Sequence, residues 1–151
     1  MQMLRARLSL ILLALVGLNG AATASDLQTL LMTLKRHGFA VVQQQPPGEA
    51  AYGLFQPDRK LLMIAPITHD LGIARHVLLH EAVHAAQSCP DGRMRLIGLP
   101  VTTSPAVASR IRYLLTNHYQ QGAQVLEEEA FLIQSQPNAE ALIVEALNQR
   151  C

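Results

Sequence analysis

"RHVLLHEAVHAAQSC", residues Arg75–Cys89, reads as a helix with an uninterrupted apolar body. Val77, Leu78, Leu79, Ala82, Val83, Ala85 and Ala86 all suit a packed interior, and no Gly or Pro breaks the run. Into this run the chain places His80, Glu81 and His84. A carboxylate and two imidazoles withdrawn from water cost free energy unless something pairs with them. His80 and His84 are four residues apart and share one helix face, while Glu81 is turned about 100 degrees from His80. That spacing suits a zinc ion held by the two imidazoles, with the carboxylate near the water that zinc activates rather than on the metal. Glu81 is then a candidate general base, taking the proton of an attacking water and passing it to a leaving amine.

Outward from this helix the chain changes period. On its N-terminal side, "FAVVQQQ" (Phe39–Gln45) is β-branched and aromatic enough for a strand, and "QPPGEA" supplies a turn. "AYGLFQ" and "KLLMIAP" flank Pro57-Asp58-Arg59 and read as a hairpin, which together predicts a small antiparallel sheet of about three strands. A helix capped by Ser25 or Asp26 precedes the sheet and ends at His37-Gly38. The metal-binding helix is expected over Leu71–Ser88, capped by Thr68 or Asp70 and stopped by Pro90-Asp91-Gly92. Further helices are expected from Ser104-Pro105 to His118, from Gln121 to Ser135, and from an Asn138 cap to Gln149. The order is helix, sheet, helices: an α+β fold with the sheet packed on the zinc-bearing helix.

The chain has 151 residues, 50% hydrophobic and 15% charged, enough for one globular domain. Residues 1–24 read as a secretory signal peptide: Arg5 and Arg7, an apolar run from Leu8 to Leu18, then Ala22-Thr23-Ala24. The run is shorter than the roughly 20 residues a spanning helix needs, so no membrane partner is expected after cleavage. The single domain is expected over residues 25–151, secreted or periplasmic. Cleavage removes two arginines and takes the formal charge from +1 to −1, which argues against a nucleic-acid partner. The two cysteines, Cys89 and Cys151, suit an exported chain, either as a disulfide tying the C-terminus to the end of the His-containing helix or as two free thiols.

A hydrolytic zinc site takes three protein ligands and keeps one position open. The extended H-E-x-x-H-x-x-G-x-x-H pattern is excluded, because Gln87 and Pro90 stand where it needs Gly and His. The acidic run in "VLEEEAFLIQ" (Val125–Gln134) is the main source of a third ligand, with Asp91 and His118 as outsiders. On a helix Glu129 neighbours Val125, Leu126, Leu132 and Ile133, whereas Glu127 neighbours a mixed set, so burial alone favours Glu129 and leaves Glu127 and Glu128 open.

"HEAVH" followed 43 residues later by "EEEA" resembles the gluzincins, zinc peptidases whose third ligand is a glutamate. More narrowly it resembles the small bacterial ImmA/IrrE-like peptidases, over roughly Tyr52–Gln134. The resemblance implies a minimal zincin-like metallopeptidase domain, a peptide or protein substrate, and zinc held by His80, His84 and Glu127, the last lying three residues before Ala130. Longer gluzincins follow that small residue with Asp or Asn, which steadies a ligand histidine; here Phe131 takes the place, so the support must come from elsewhere. The short domain also leaves little length for a deep substrate cleft.

Tyr113, His118 and Tyr119 are candidate donors to the oxyanion of the transition state. His76 is a candidate orienting group, Arg93 and Arg95 candidate binders of a substrate carboxylate, and either hairpin strand could take an extended peptide as an added strand. Two alternatives use the same residues: a catalytically silent zinc-binding protein acting as a binding or assembly module, and hydrolysis of a non-peptide amide or ester. Glu81 favours an enzyme, since binding alone needs no general base.

Overall fold

The computed structural model describes residues 19–48, 51–119 and 122–151. The apolar run expected to be the core of a signal peptide, Leu8 to Leu18, lies outside them. The described elements run α1 (Asn19–Arg36), β1 (Ala40–Gln43), β2 (Gly53–Gln56), β3 (Leu61–Ile64), α2 (Ile67–Asp70), α3 (Ala74–Gln87), α4 (Pro105–His118), α5 (Gln124–Gln134) and α6 (Ala139–Arg150). The fold is α+β, as expected.

The sheet corrects one expectation: it is mixed, not antiparallel. Its order is β1-β3-β2, with β1 parallel to β3 and β2 antiparallel to it. The single 3-10 turn Pro57–Arg59 makes β2 and β3 a hairpin, closed by Lys60 in the left-handed region (φ 47). β3 is the most continuously apolar strand, and placing it in the centre buries Leu62, Met63 and Ile64. β1 therefore joins β3 on its far side, running in the same direction, and leaves β2 as an edge.

α3 lies between the sheet and the C-terminal helices, packed on β2 and β3 on one side and on α5 and α6 on the other. Every residue from Glu81 to Gln87 is buried, and Ala82, Ala85 and Ala86 let the neighbouring backbones come close. The core around it is built from Leu30 and Leu34 of α1, Leu62 and Ile64 of β3, Ile133 of α5, and Ile143 and Leu147 of α6. α3 starts three residues later than expected. Thr68 does not cap it, because its hydroxyl donates to the Ala65 carbonyl (2.7 Å) and shapes the separate turn α2. Ser25 and Asp26 lie inside α1 rather than capping it, and Asn138 precedes α6 without a side-chain cap. Ser104 does cap α4, accepting from the Val107 N–H at 3.3 Å.

Cys89 and Cys151 form a disulfide that fastens the end of α6 to the end of α3. Arg150 reinforces the same junction by donating to the carbonyls of Ala86 (3.0 Å) and Leu96 (3.2 Å). No described helix is long and apolar enough to cross a membrane.

Candidate metal centre

α3 presents His80 and His84 side by side toward α5, where Glu127 occupies the facing turn. The Nε2 atom of His80 is 3.0 Å from one Glu127 carboxylate oxygen, that of His84 is 3.4 Å from the other, and the two Nε2 atoms are 3.2 Å apart. One ligand atom from each residue lies within 4.8 Å of the others, so the three could hold a metal ion.

The surrounding hydrogen bonds test that fit. Nδ1 of His84 faces the Gln87 side-chain oxygen at 2.7 Å. The amide nitrogen of Gln87 donates to the Leu126 carbonyl (3.0 Å) and to the Glu129 carboxylate (2.9 Å). Turning that amide round would set its oxygen against two other oxygens, so Gln87 offers His84 an acceptor and Nδ1 carries the proton. Nδ1 of His80 likewise faces the Gln134 oxygen at 2.9 Å. With their protons on Nδ1, both rings turn acceptor nitrogens toward a carboxylate. A convergence of acceptors is what a cation satisfies.

The electrostatics follow from the same closeness. Burial opposes the charge on Glu127, but when the rings also carry a proton on Nε2 their hydrogen bonds and charges outweigh it and hold its carboxyl at about 2. Burial disfavours a charged His84, yet Glu127 pulls its pKa above the ordinary histidine value. Glu81 is 7% exposed, and burial pushes its carboxyl up against the lowering influence of His80 and His84. The nearby Phe55 backbone N–H lowers it slightly as well. Gly53 makes that approach possible: a Cβ there would sit 2.5 Å from a Glu81 carboxylate oxygen and 2.6 Å from Val77 Cγ1.

These groups lie at the floor of a cleft of about 740 Å³, walled by β2 and α3 on one side and by Tyr119, Leu126 and Phe131 on the other. The cleft lies between the edge strand and α5, which both pack on α3. Its lining is apolar apart from the metal-facing residues, Glu81, His76, Gln134 and the two tyrosines Tyr52 and Tyr119.

Of the expected donors, only Tyr119 reaches the cleft. It is half-buried at the end of α4, its ring edge-on to Phe131 at 6.0 Å, and burial, with Glu127 and Glu81 nearby, pushes its phenol up to about 12. Tyr113 is exposed beneath Arg110, and His118 is exposed on the last turn of α4. His76 is exposed but lines the cleft. Arg95 pairs with Asp91 on the surface (2.8 Å), and neither Asp91, Arg93 nor Arg95 lines the cleft.

Glu129 is buried, as its helical neighbours predict, but it faces away from the two histidines. Its carboxylate accepts from Gln87 and from the backbone N–H groups of Ile97 (2.8 Å) and Gly98 (2.7 Å). Glu128 is exposed. Gln87 and Gln134, which face Nδ1 of His84 and His80, are the neighbours of the cluster that the sequence did not single out. The signal was present for Gln87: an amide three residues after His84 inside an otherwise apolar, small-residue helix.

No family model, curated protein or solved structure matches the chain. The likeness to the gluzincins therefore rests on the two short motifs alone.

Proposed function

We propose that the chain is an exported, zinc-dependent metallopeptidase of the minimal gluzincin kind, with His80, His84 and Glu127 as zinc ligands and Glu81 as general base. One observation carries the reading. Three acceptor groups converge at the floor of a cleft, beside a buried carboxylate that is not one of them. Two imidazole nitrogens and one carboxylate oxygen suit zinc and leave one tetrahedral position open. Bound zinc supplies the positive charge that polarises a carbonyl and acidifies water.

The chain's own groups supply the rest. Glu81 takes a proton from water as the water oxygen bonds to the scissile carbonyl carbon, and returns it to the amine nitrogen as the C–N bond breaks. A carboxyl raised by burial suits both halves of that transfer. Tyr119 keeps its phenolic proton at neutral pH and can donate to the carbonyl oxygen as negative charge builds there.

Substrate binding falls to β2. β3 is central and has no free edge, so of the two hairpin strands only β2 can pair with a peptide. The Ala65 N–H donates to the Tyr52 carbonyl, which places Tyr52, Leu54 and Gln56 in the hydrogen-bonded pairs with β3. Gly53 and Phe55 therefore turn their backbone groups outward. An extended peptide would then meet the N–H and carbonyl groups of Gly53 and Phe55, beside Glu81. The Cys89–Cys151 disulfide supports work in an oxidising compartment, secreted or periplasmic.

Incubation with a diverse peptide mixture, read by mass spectrometry, tests the proposal. The native chain should cleave peptides, and Glu81→Gln should keep its zinc while losing about 10²–10⁴-fold in rate. Equal cleavage by both, or no cleavage of any peptide by the zinc-loaded native chain, would overturn it.

A further inference from the structure

Two short hydrogen-bond chains end on the histidines from the side opposite Glu127. One begins at the backbone of Ile97 and Gly98, passes through the Glu129 carboxylate and the Gln87 amide, and ends at Nδ1 of His84. The other is the single contact from Gln134 to Nδ1 of His80. In each chain the glutamine oxygen is the acceptor at the ring. The first is fully buried at Gln87 and has its direction fixed by Leu126 and Glu129; the second is half-exposed.

We propose that Glu129, Gln87 and Gln134 are positioning residues that hold both histidines as Nδ1–H tautomers with their Nε2 lone pairs turned to one point. The position after the small residue Ala130 holds Phe131, which packs its ring on His80 at 4.6 Å and offers no acceptor, so the support comes from these three residues instead. Which imidazole nitrogen is free for a metal is set by the hydrogen bond the other one makes. Without its glutamine, each ring is free to carry the proton on Nε2 or to rotate, and either change removes a ligand. Glu129 has a second consequence. The same carboxylate fixes the segment around Ile97 and Gly98, which continues from Met94 at the cleft wall, so the ligand geometry and that wall are held by one side chain.

The inference rests on the zinc reading above, and its test separates the two. Zinc affinity is measured by competition with a chromophoric chelator, together with the visible spectrum of the cobalt-loaded protein, for the native chain, Gln87→Met, Gln134→Met and Gln134→Glu. Both Met variants keep the side-chain volume and remove the acceptor, and should bind zinc about 10–100-fold more weakly, with a changed cobalt spectrum. Gln134→Glu restores an acceptor and should recover native affinity and the native spectrum. If Gln87→Met does not fold, the two Gln134 variants decide. Native affinity in Gln134→Met, or failure of Gln134→Glu to recover it, would overturn the positioning role while leaving the zinc site standing. A native chain that takes up no zinc would overturn the site itself.

Discussion

Replacing Gly53 with alanine adds one methyl group at the closest approach of β2 to α3. The new Cβ would lie 2.5 Å from the Glu81 carboxylate and 2.6 Å from the Val77 methyl, well inside contact distance. Neither neighbour gives easily. Val77 is β-branched and stiff on the helix, and Glu81 is buried between β2 and α3. Overpacking of this kind costs about 1–3 kcal/mol, against which alanine gains about 0.4–1 kcal/mol by restricting the unfolded chain. The net loss, up to about 2.6 kcal/mol, corresponds to a Tm lower by up to roughly 10 °C for a chain of this size. Peptide hydrolysis should fall further than stability does, because the displaced group is the proposed base, while zinc affinity holds because the nearest contacts are Glu81 and Val77 rather than a ligand. Differential scanning fluorimetry, chelator competition and a peptide assay read the three quantities. A variant with unchanged Tm and unchanged turnover would refute the close packing of β2 on Glu81.

Glu127→Ala and Glu129→Ala should separate in opposite directions. Glu129→Ala leaves one N–H of the buried Gln87 amide and two backbone N–H groups without an acceptor, each costing about 1–3 kcal/mol in urea unfolding, whereas Glu127→Ala should abolish zinc binding and lose the stability that its pairing with His80 and His84 supplies at neutral pH. The Tyr119 phenol is raised to about 12, above its unfolded value, so its contribution to stability is complete below about pH 10 and is lost as pH rises toward 12. An ultraviolet titration should show one tyrosine ionising late, and Tyr119→Phe should remove that step. Reducing the Cys89–Cys151 disulfide, which closes a separation of 62 residues, should lower stability by about 2–5 kcal/mol in urea and loosen α6 from α3.

The helices were legible because their signals are local. Ser104-Pro105 starts α4 and His37-Gly38 ends α1, where Gly38 takes the left-handed conformation (φ 83) and the Phe39 N–H reaches back to Leu34. The pairing of β1 was not legible, since a four-residue strand with two β-branched residues, Val41 and Val42, fits either neighbour and the burial of β3 decides. Helical periodicity rightly placed Glu129 inside, but a buried carboxylate can hold a metal or a loop. Its backbone partners Ile97 and Gly98 lie about thirty residues away in a segment with no periodic pattern. A separation of 54 residues hid Gln134, seven residues past Glu127, because the contact that gives it meaning is on another helix.

In the proposed site His80, His84 and Glu127 hold one zinc ion beside a base, Glu81, that is not a ligand. Metal analysis of the purified, folded chain and its variants tests it most directly. The native chain and Glu81→Gln should each carry about one zinc, and His80→Ala, His84→Ala and Glu127→Ala should carry almost none. Folded native protein without zinc, or full zinc retention in Glu127→Ala, would contradict it.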